Sequence, residues 1–206
     1  MHGAQEYTVE ADLVVHAAGR VPEIDDLDLA AAGVAREKEG ISVNEYLQSV
    51  TNEAVYAAGD SVASGEFPLT PVAGMQGDIV SRNLLEGNRH TPNYTGISSV
   101  VFTTPPLVRV GLLEEAARAQ GLRFTTHHED TSDWYSTLRV ALSHTAFKTL
   151  VEEGTGRILG AHLLGLHAEE VINLFALTIR TGLRASDLKN MVYAYPTSAS
   201  DVGYMV

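Results

Sequence analysis

Asp60 follows an apolar run, Ala54-Val55-Tyr56-Ala57-Ala58, and a glycine, Gly59. A short apolar run bounded by turn residues reads as a strand buried on both faces, and the missing side chain of Gly59 marks a place where something approaches the backbone closely. Asp60 then projects from a strand's carboxyl end. In open α/β sheets ligands lie along that edge, and a carboxylate there accepts hydroxyl hydrogen bonds from a ribose or ribitol. The alternative is a solvated carboxylate in a strand-to-loop turn. Further on, Leu69-Thr70-Pro71-Val72-Ala73 opens a helix, with Thr70 placed to cap it and Pro71 at the first position, where a missing N–H costs nothing. The bare N–H groups of that helix start direct a partial positive charge at the same neighbourhood. A further polar group, Tyr195, stands in the tail Tyr193-Ala194-Tyr195-Pro196-Thr197. With a reference pKa of about 10 its phenol is a poor base at neutral pH, although it donates a hydrogen bond; simple packing is the other reading.

Other chemistries have less support. The eight histidines do not suggest a metal site: His127 and His128 are adjacent on a strand and face opposite sides, while His162 and His167 belong to a strand and the turn after it. No Gly-x-Ser-x-Gly elbow supports a serine hydrolase. Gly154-Thr155-Gly156 is a hairpin turn and not a dinucleotide loop, because Leu159 stands where a third glycine belongs and a strand follows. Glu114-Glu115 and Glu169-Glu170 lie at helix starts, where the macrodipole favours acid.

Val55-Tyr56-Ala57-Ala58-Gly59-Asp60 with Leu69-Thr70-Pro71-Val72-Ala73 resembles the second flavin-contacting segment of the pyridine nucleotide-disulfide oxidoreductases, the family of dihydrolipoamide dehydrogenase, glutathione reductase and mercuric reductase. Asp12-Leu13-Val14-Val15-His16-Ala17-Ala18-Gly19-Arg20-Val21-Pro22 resembles that family's crossing from its NAD(P)H domain back to the flavin domain. Val101-Phe102-Thr103-Thr104-Pro105 with Val110-Gly111-Leu112 resembles the opening of its dimerisation domain. The three segments stand in family order and the resemblance spans nearly the whole chain.

The resemblance implies a homodimer, FAD as cofactor and NAD(P)H as co-substrate. Asp60 would bind the ribitol, and the helix start from Leu69 through Ala73 would stabilise negative charge on the reduced flavin. Where the family has a His, followed five residues later by a Glu, as a proton relay reaching the partner's flavin, this sequence has Tyr195 and Ser200, with Asp201 one residue late. The family's first Gly-rich flavin motif, its redox cysteine pair and its nicotinamide loop would lie upstream of this chain. The expectation is therefore a portion of an oxidoreductase that is inactive alone. A non-catalytic dimerisation or assembly module is the alternative.

The elements needed to hold these residues can be placed by pattern. A hairpin edge strand leads into a buried one across residues 7–15; a short strand follows at 41–43, and the central strand ends at Asp60. A helix over 71–86 carries Val72, Met75, Ile79, Val80 and Leu84 at helical spacing and stops at Gly87. Residues 88–96 form a polar linker. Beyond it, strands are expected at 98–103, 108–112, 122–127, Ala146–Glu152 and 157–164, with helices at 113–120, Ala168–Thr181 and 186–192. The whole is an α+β chain: an incomplete α/β flavin-binding segment over residues 1–90, then a dimerisation domain of antiparallel sheet and helices over 95–206.

Composition narrows the classes. With 206 residues and 45% apolar content the chain buries a real core. A net charge of -12 argues against nucleic acid and anionic membrane surfaces. The absence of cysteine removes disulfides, thiolate metal sites and a redox pair from these residues. No apolar run reaches membrane-span length and no signal peptide is evident, so a cytoplasmic location is expected.

Overall fold

The computed structural model describes residues 8–17, 19–63 and 68–206. The chain divides into two compact units, Met1–Pro92 and Asn93–Val206. The first holds β1 (Arg36–Glu37), β2 (Gly40–Ile41) and helix α1 (Thr70–Glu86).

The second unit is built on an antiparallel sheet of β3 (Ser98–Val101), β4 (Leu107–Gly111), β5 (Phe124–Asp130), β6 (Ala146–Glu152) and β7 (Ile158–Leu164), in the order β3-β4-β7-β6-β5. The period-two pattern decides its faces: Phe147, Thr149, Ala161 and Leu163 turn inward, while Lys148 and His162 turn to the other side. Around the sheet run α2 (Glu114–Ala119), α3 (Tyr135–Leu138), α4 (Ala168–Thr181) and α5 (Ala185–Lys189), followed by a 3-10 turn over Ser198–Tyr204. Helix α4 lays Val171, Ile172, Phe175 and Thr178 on the inner face, with Ile172 and Phe175 fully buried. Burying each of those two side chains contributes about 1.5–3 kcal/mol. Glu169 and Glu170 in the first turn complement its dipole, and Gly182 in the left-handed region ends it.

Two glycines allow the central strands to pass closely. Gly111 pairs directly with Gly160 across β4 and β7. A Cβ on Gly160 would collide with the carbonyl oxygen of Leu112, and one on Gly111, at φ 73°, with that of Leu159. Any other residue would push these strands apart.

The chain end returns to the core: Val202 is fully buried, and the Thr149 hydroxyl donates to the carbonyl of Met205 at 2.6 Å. The expected strands and helices of this unit are present, with ends shifted by up to three residues. Helix α3 and the 3-10 turn carry no long periodic pattern and were not expected.

The first unit departs more from the sequence reading. Its described sheet is the two-residue hairpin of β1 and β2, and its small core comprises Ile24, Val34, Ile41, Ala57 and Val62. The run ending at Asp60 is not a strand; one isolated bridge joins Gln48 to Tyr56, and the rest is turn and loop. Described residues 8–15 likewise form no strand, and Leu13, Val14 and Val15 are exposed. The physical reason is the same for both: an extended apolar run becomes a strand only when other strands take its N–H and C=O groups, and this unit has too few.

Helix α1 is present, and its buried side carries two amides among the expected apolar residues. Val72, Gln76 and Asn83 are buried, whereas Leu84 is exposed. Asn83 acts as a latch: its side-chain amide donates to the carbonyls of Tyr46 (3.0 Å) and His90 (2.9 Å), and its oxygen accepts from the N–H groups of Arg89 (3.1 Å) and His90 (2.9 Å).

His162 provides a pH test of the sheet. It pairs with Arg109 on one side and Lys148 on the other, and its Nε2 lies 3.3 Å from the carbonyl oxygen of Leu112. Burial pushes its pKa below the ordinary value of 6.5; the Leu112 carbonyl opposes the shift, and Lys148 and Arg109 add to it. A histidine whose folded pKa is depressed contributes stability that is present above the unfolded pKa and lost as pH falls through the folded one. The urea midpoint of the second unit should therefore hold steady from pH 8 to about 6.5 and fall below it. In His162→Gln that fall should be reduced.

Candidate functional site

Asp60 sits in a 3-10 turn, Gly59–Ser61, whose position is set from α1. Gly59 has φ 70°, and a Cβ there would lie 3.1 Å from the Cβ of Ala73, tighter than an ordinary contact. The Gly59 N–H donates to Oε1 of Gln76 at 2.6 Å, and Gln76 is 1% exposed. Gly59 thus carries Asp60 against the first turn of α1, because an amide reaches out of the helix to hold it.

Asp60 lines a cavity of about 560 Å³ together with Gly19, Arg20, Val21, Pro22, Lys38, Glu39, Gly59, Val62 and Pro68. Oδ2 of Asp60 is paired with the Arg20 guanidinium at 2.6 Å, and Asp60 is the less exposed partner. The cavity therefore joins two segments singled out in the sequence, 19–22 and 59–60, and adds two charged residues from the β1–β2 turn.

The helix-start residues divide by role. Val72 is a core residue, while Thr70 and Pro71 are exposed. Thr70 is the first helical residue and not the cap; Leu69 takes the cap position, and no side chain caps the helix. The expected capping bond of Thr70 is absent, and Pro71 still lies within the first turn, where no donor is needed.

Tyr195 belongs to the second unit. Its side chain is 74% exposed, and its ring stacks on that of Tyr135 with centroids 6.3 Å apart. Ser200 turns its hydroxyl onto the carbonyl of Thr197 at 2.6 Å. Asp201 is drawn inward: burial pushes its carboxyl above the usual aspartate value, and a hydrogen bond from Ser136 works against that shift.

Sequence reasoning passed over the roles of Gln76, Lys38, Glu39 and Tyr135. Gln76 did carry a signal, a polar residue four positions after Val72 and seven before Asn83 on one helix face. Lys38, Glu39 and Tyr135 carried none, being ordinary surface types in unpatterned stretches. Among the described residues no three His, Asp or Glu side chains converge as a metal site would require, and no helix is long and apolar enough to cross a membrane.

Comparison with known proteins agrees with this geometry. Residues 97–206 match the pyridine nucleotide-disulphide oxidoreductase dimerisation domain, and residues 1–77 match the pyridine nucleotide-disulphide oxidoreductase family. The chain belongs to the pyridine nucleotide-disulphide oxidoreductase family. Among its relatives, an uncharacterised 19.7 kDa protein in the mercuric resistance operon of Staphylococcus aureus is 44% identical over 180 residues, covering 87% of this chain and 100% of the relative. Mercuric reductase of Staphylococcus aureus is 33% identical over 95% of this chain. Pea (Pisum sativum) glutathione reductase is 34% identical over 91%. The chain spans only 35% and 34% of those two enzymes. Among solved structures, a Cu(II) complex of RclA, an HOCl-induced flavoprotein disulfide reductase from Escherichia coli, superposes with a TM-score of 0.79 at 27% identity, over 91% of this chain and 43% of that one.

The family implies FAD, and the residues present fit one part of it. The Arg20 pair uses Oδ2 of Asp60, so a carboxylate oxygen remains to accept a polyol hydroxyl at the rim of an open cavity. A pyrophosphate needs a Gly-rich loop leading into a helix N-terminus, and the segment before α1 among the described residues is Pro68-Leu69.

The Gln76 bond can be tested directly. Gln76→Leu removes the acceptor of the half-buried Gly59 N–H, and should cost about 1–3 kcal/mol in urea unfolding of the first unit. The second unit should unfold as before.

Proposed function

We propose that this chain forms the homodimer interface, through residues 95–206, and one side of the flavin site, through residues 1–90, of a FAD-dependent NAD(P)H oxidoreductase, and that it does not turn over by itself. The observation that carries this reading is the placement of Asp60: a carboxylate at the rim of a cavity, held by Gln76 through Gly59, beside the segment from Gly19 to Pro22. FAD, when bound, relays electrons from NAD(P)H to an acceptor. Asp60 accepts hydroxyls of the ribitol. The open N–H groups of Leu69, Thr70 and Val72 would direct their partial positive charge at the flavin's pyrimidine edge, while Ala73, whose N–H donates to the Leu69 carbonyl at 3.0 Å, and Pro71, without an N–H, shape that first turn. Tyr195 offers a hydroxyl donor where the family's relay has a base, which suits an acceptor that needs no thiol proton relay.

A second reading, a non-catalytic assembly module, draws on the Staphylococcus aureus relative matched over its full length. Both readings keep the dimer, and they part over flavin.

Two measurements test the proposal. Light scattering on the purified chain should return twice the 22.1 kDa chain mass; a monomer at micromolar concentration would contradict the interface. Titration with FAD, followed by absorbance and flavin fluorescence, should show no binding by the chain alone, because the pyrophosphate cradle supplies much of the affinity. A yellow protein holding stoichiometric FAD would overturn the one-sided site. If the missing part of a family member is supplied, flavin should be retained by wild type and lost in Asp60→Ala. No flavin with wild type would favour the assembly module, and retention in both would overturn the role of Asp60.

A further inference from the structure

We propose that helix α3 is a bracket for the C-terminal segment and that Tyr135 is the positioning residue of Tyr195. Two consecutive side chains at the start of α3 each meet a different residue of that segment. The ring of Trp134 meets Tyr204 edge-on, with centroids 6.2 Å apart and planes at 77°. Tyr135 stacks on Tyr195 at 6.3 Å with planes only 25° apart.

The bracket is itself anchored to the sheet. Trp134 packs against Phe147 of β6 at 5.8 Å, and its indole N–H donates to Glu129 of β5 at 3.3 Å. Behind it, Thr137 shares a hydrogen bond of 3.0 Å with Thr145, which also accepts from Thr131 at 2.8 Å, all three hydroxyls being buried. One side of α3 is therefore fixed to the core, and the other grips the tail.

Tyr195 needs such a grip. Its side chain is largely in solvent, so burial does not choose its rotamer. Pro196 confines the backbone of Tyr195 to extended conformations but leaves the ring free to turn. Five residues on, the Ser200 hydroxyl is engaged with the carbonyl of Thr197 at 2.6 Å. Stacking on Tyr135 restricts the ring without ionic help. The inference rests on the reading of Tyr195 as a hydroxyl presented to an incoming group, but the stack itself needs no flavin.

The test is aromatic NMR on the full chain with carbon-13-labelled tyrosine, the Tyr195 signals being assigned with Tyr195→Phe. A ring stacked on Tyr135 carries a ring-current shift. Tyr135→Leu should remove that shift and move the Tyr195 ring signals to those of a freely rotating tyrosine, while Tyr135→Phe should retain it. Tyr135 is 60% exposed, so both variants should melt within a few degrees of wild type. Unchanged Tyr195 signals in Tyr135→Leu, or equal displacement in the Leu and Phe variants, would overturn the proposal. Because the signal is read without FAD, a failed flavin titration leaves this result standing, and a failed stack leaves the flavin reading standing.

Discussion

The second unit depends on one contact surface, the face of α4 pressed on the middle of a five-stranded sheet. Ile172 and Phe175 are fully buried in that contact, and beneath it Gly111 and Gly160 oppose each other without side chains, so that β4 and β7 pass closely and leave room for Ile179 of α4. The sheet's other face remains available for charge: Arg109, His162 and Lys148 stand side by side across three strands, and Glu114 on α2 receives Lys148 at 3.3 Å and Arg118 at 2.7 Å. The dimerisation half of the chain thus has a complete core, and its tail is part of that core through Val202.

The first unit is organised by different physics. Its apolar core is small, and much of its shape comes from amides: Gln76 holds the Asp60 turn, Asn83 ties Tyr46 to the segment after α1, and Tyr56 donates to Asn88 at 2.6 Å. Buried hydrogen bonds of this kind add little net stability each but are costly to break, so they specify geometry more than they drive folding. The chain spans about a third of the mercuric reductase and glutathione reductase that it matches.

Legibility in the sequence followed the same division. Where burial is decided within the chain, the pattern was sufficient: Ala146–Glu152 and Ala168–Thr181 were bounded to the residue, since alternation and helical spacing record which side faces the core. Where burial is decided by strands not present, it misled. The run before Asp60 and Leu13-Val14-Val15 have strand composition, but composition does not provide hydrogen-bond partners. At the site, the family motif located Gly59 and Asp60, and the spacing of Val72, Gln76 and Asn83 held the clue to what fixes them. Nothing local foretold that Arg20 would meet Asp60, a contact between residues far apart in sequence, or that Tyr135 would lie under Tyr195.

The Arg20–Asp60 pair has one more consequence. Arg20 is 76% exposed, and an ion pair in that setting is held by little free energy and weakened by dissolved salt. It works as a loose stopper. The guanidinium can leave the carboxylate at small cost while its cation stays at the cavity rim.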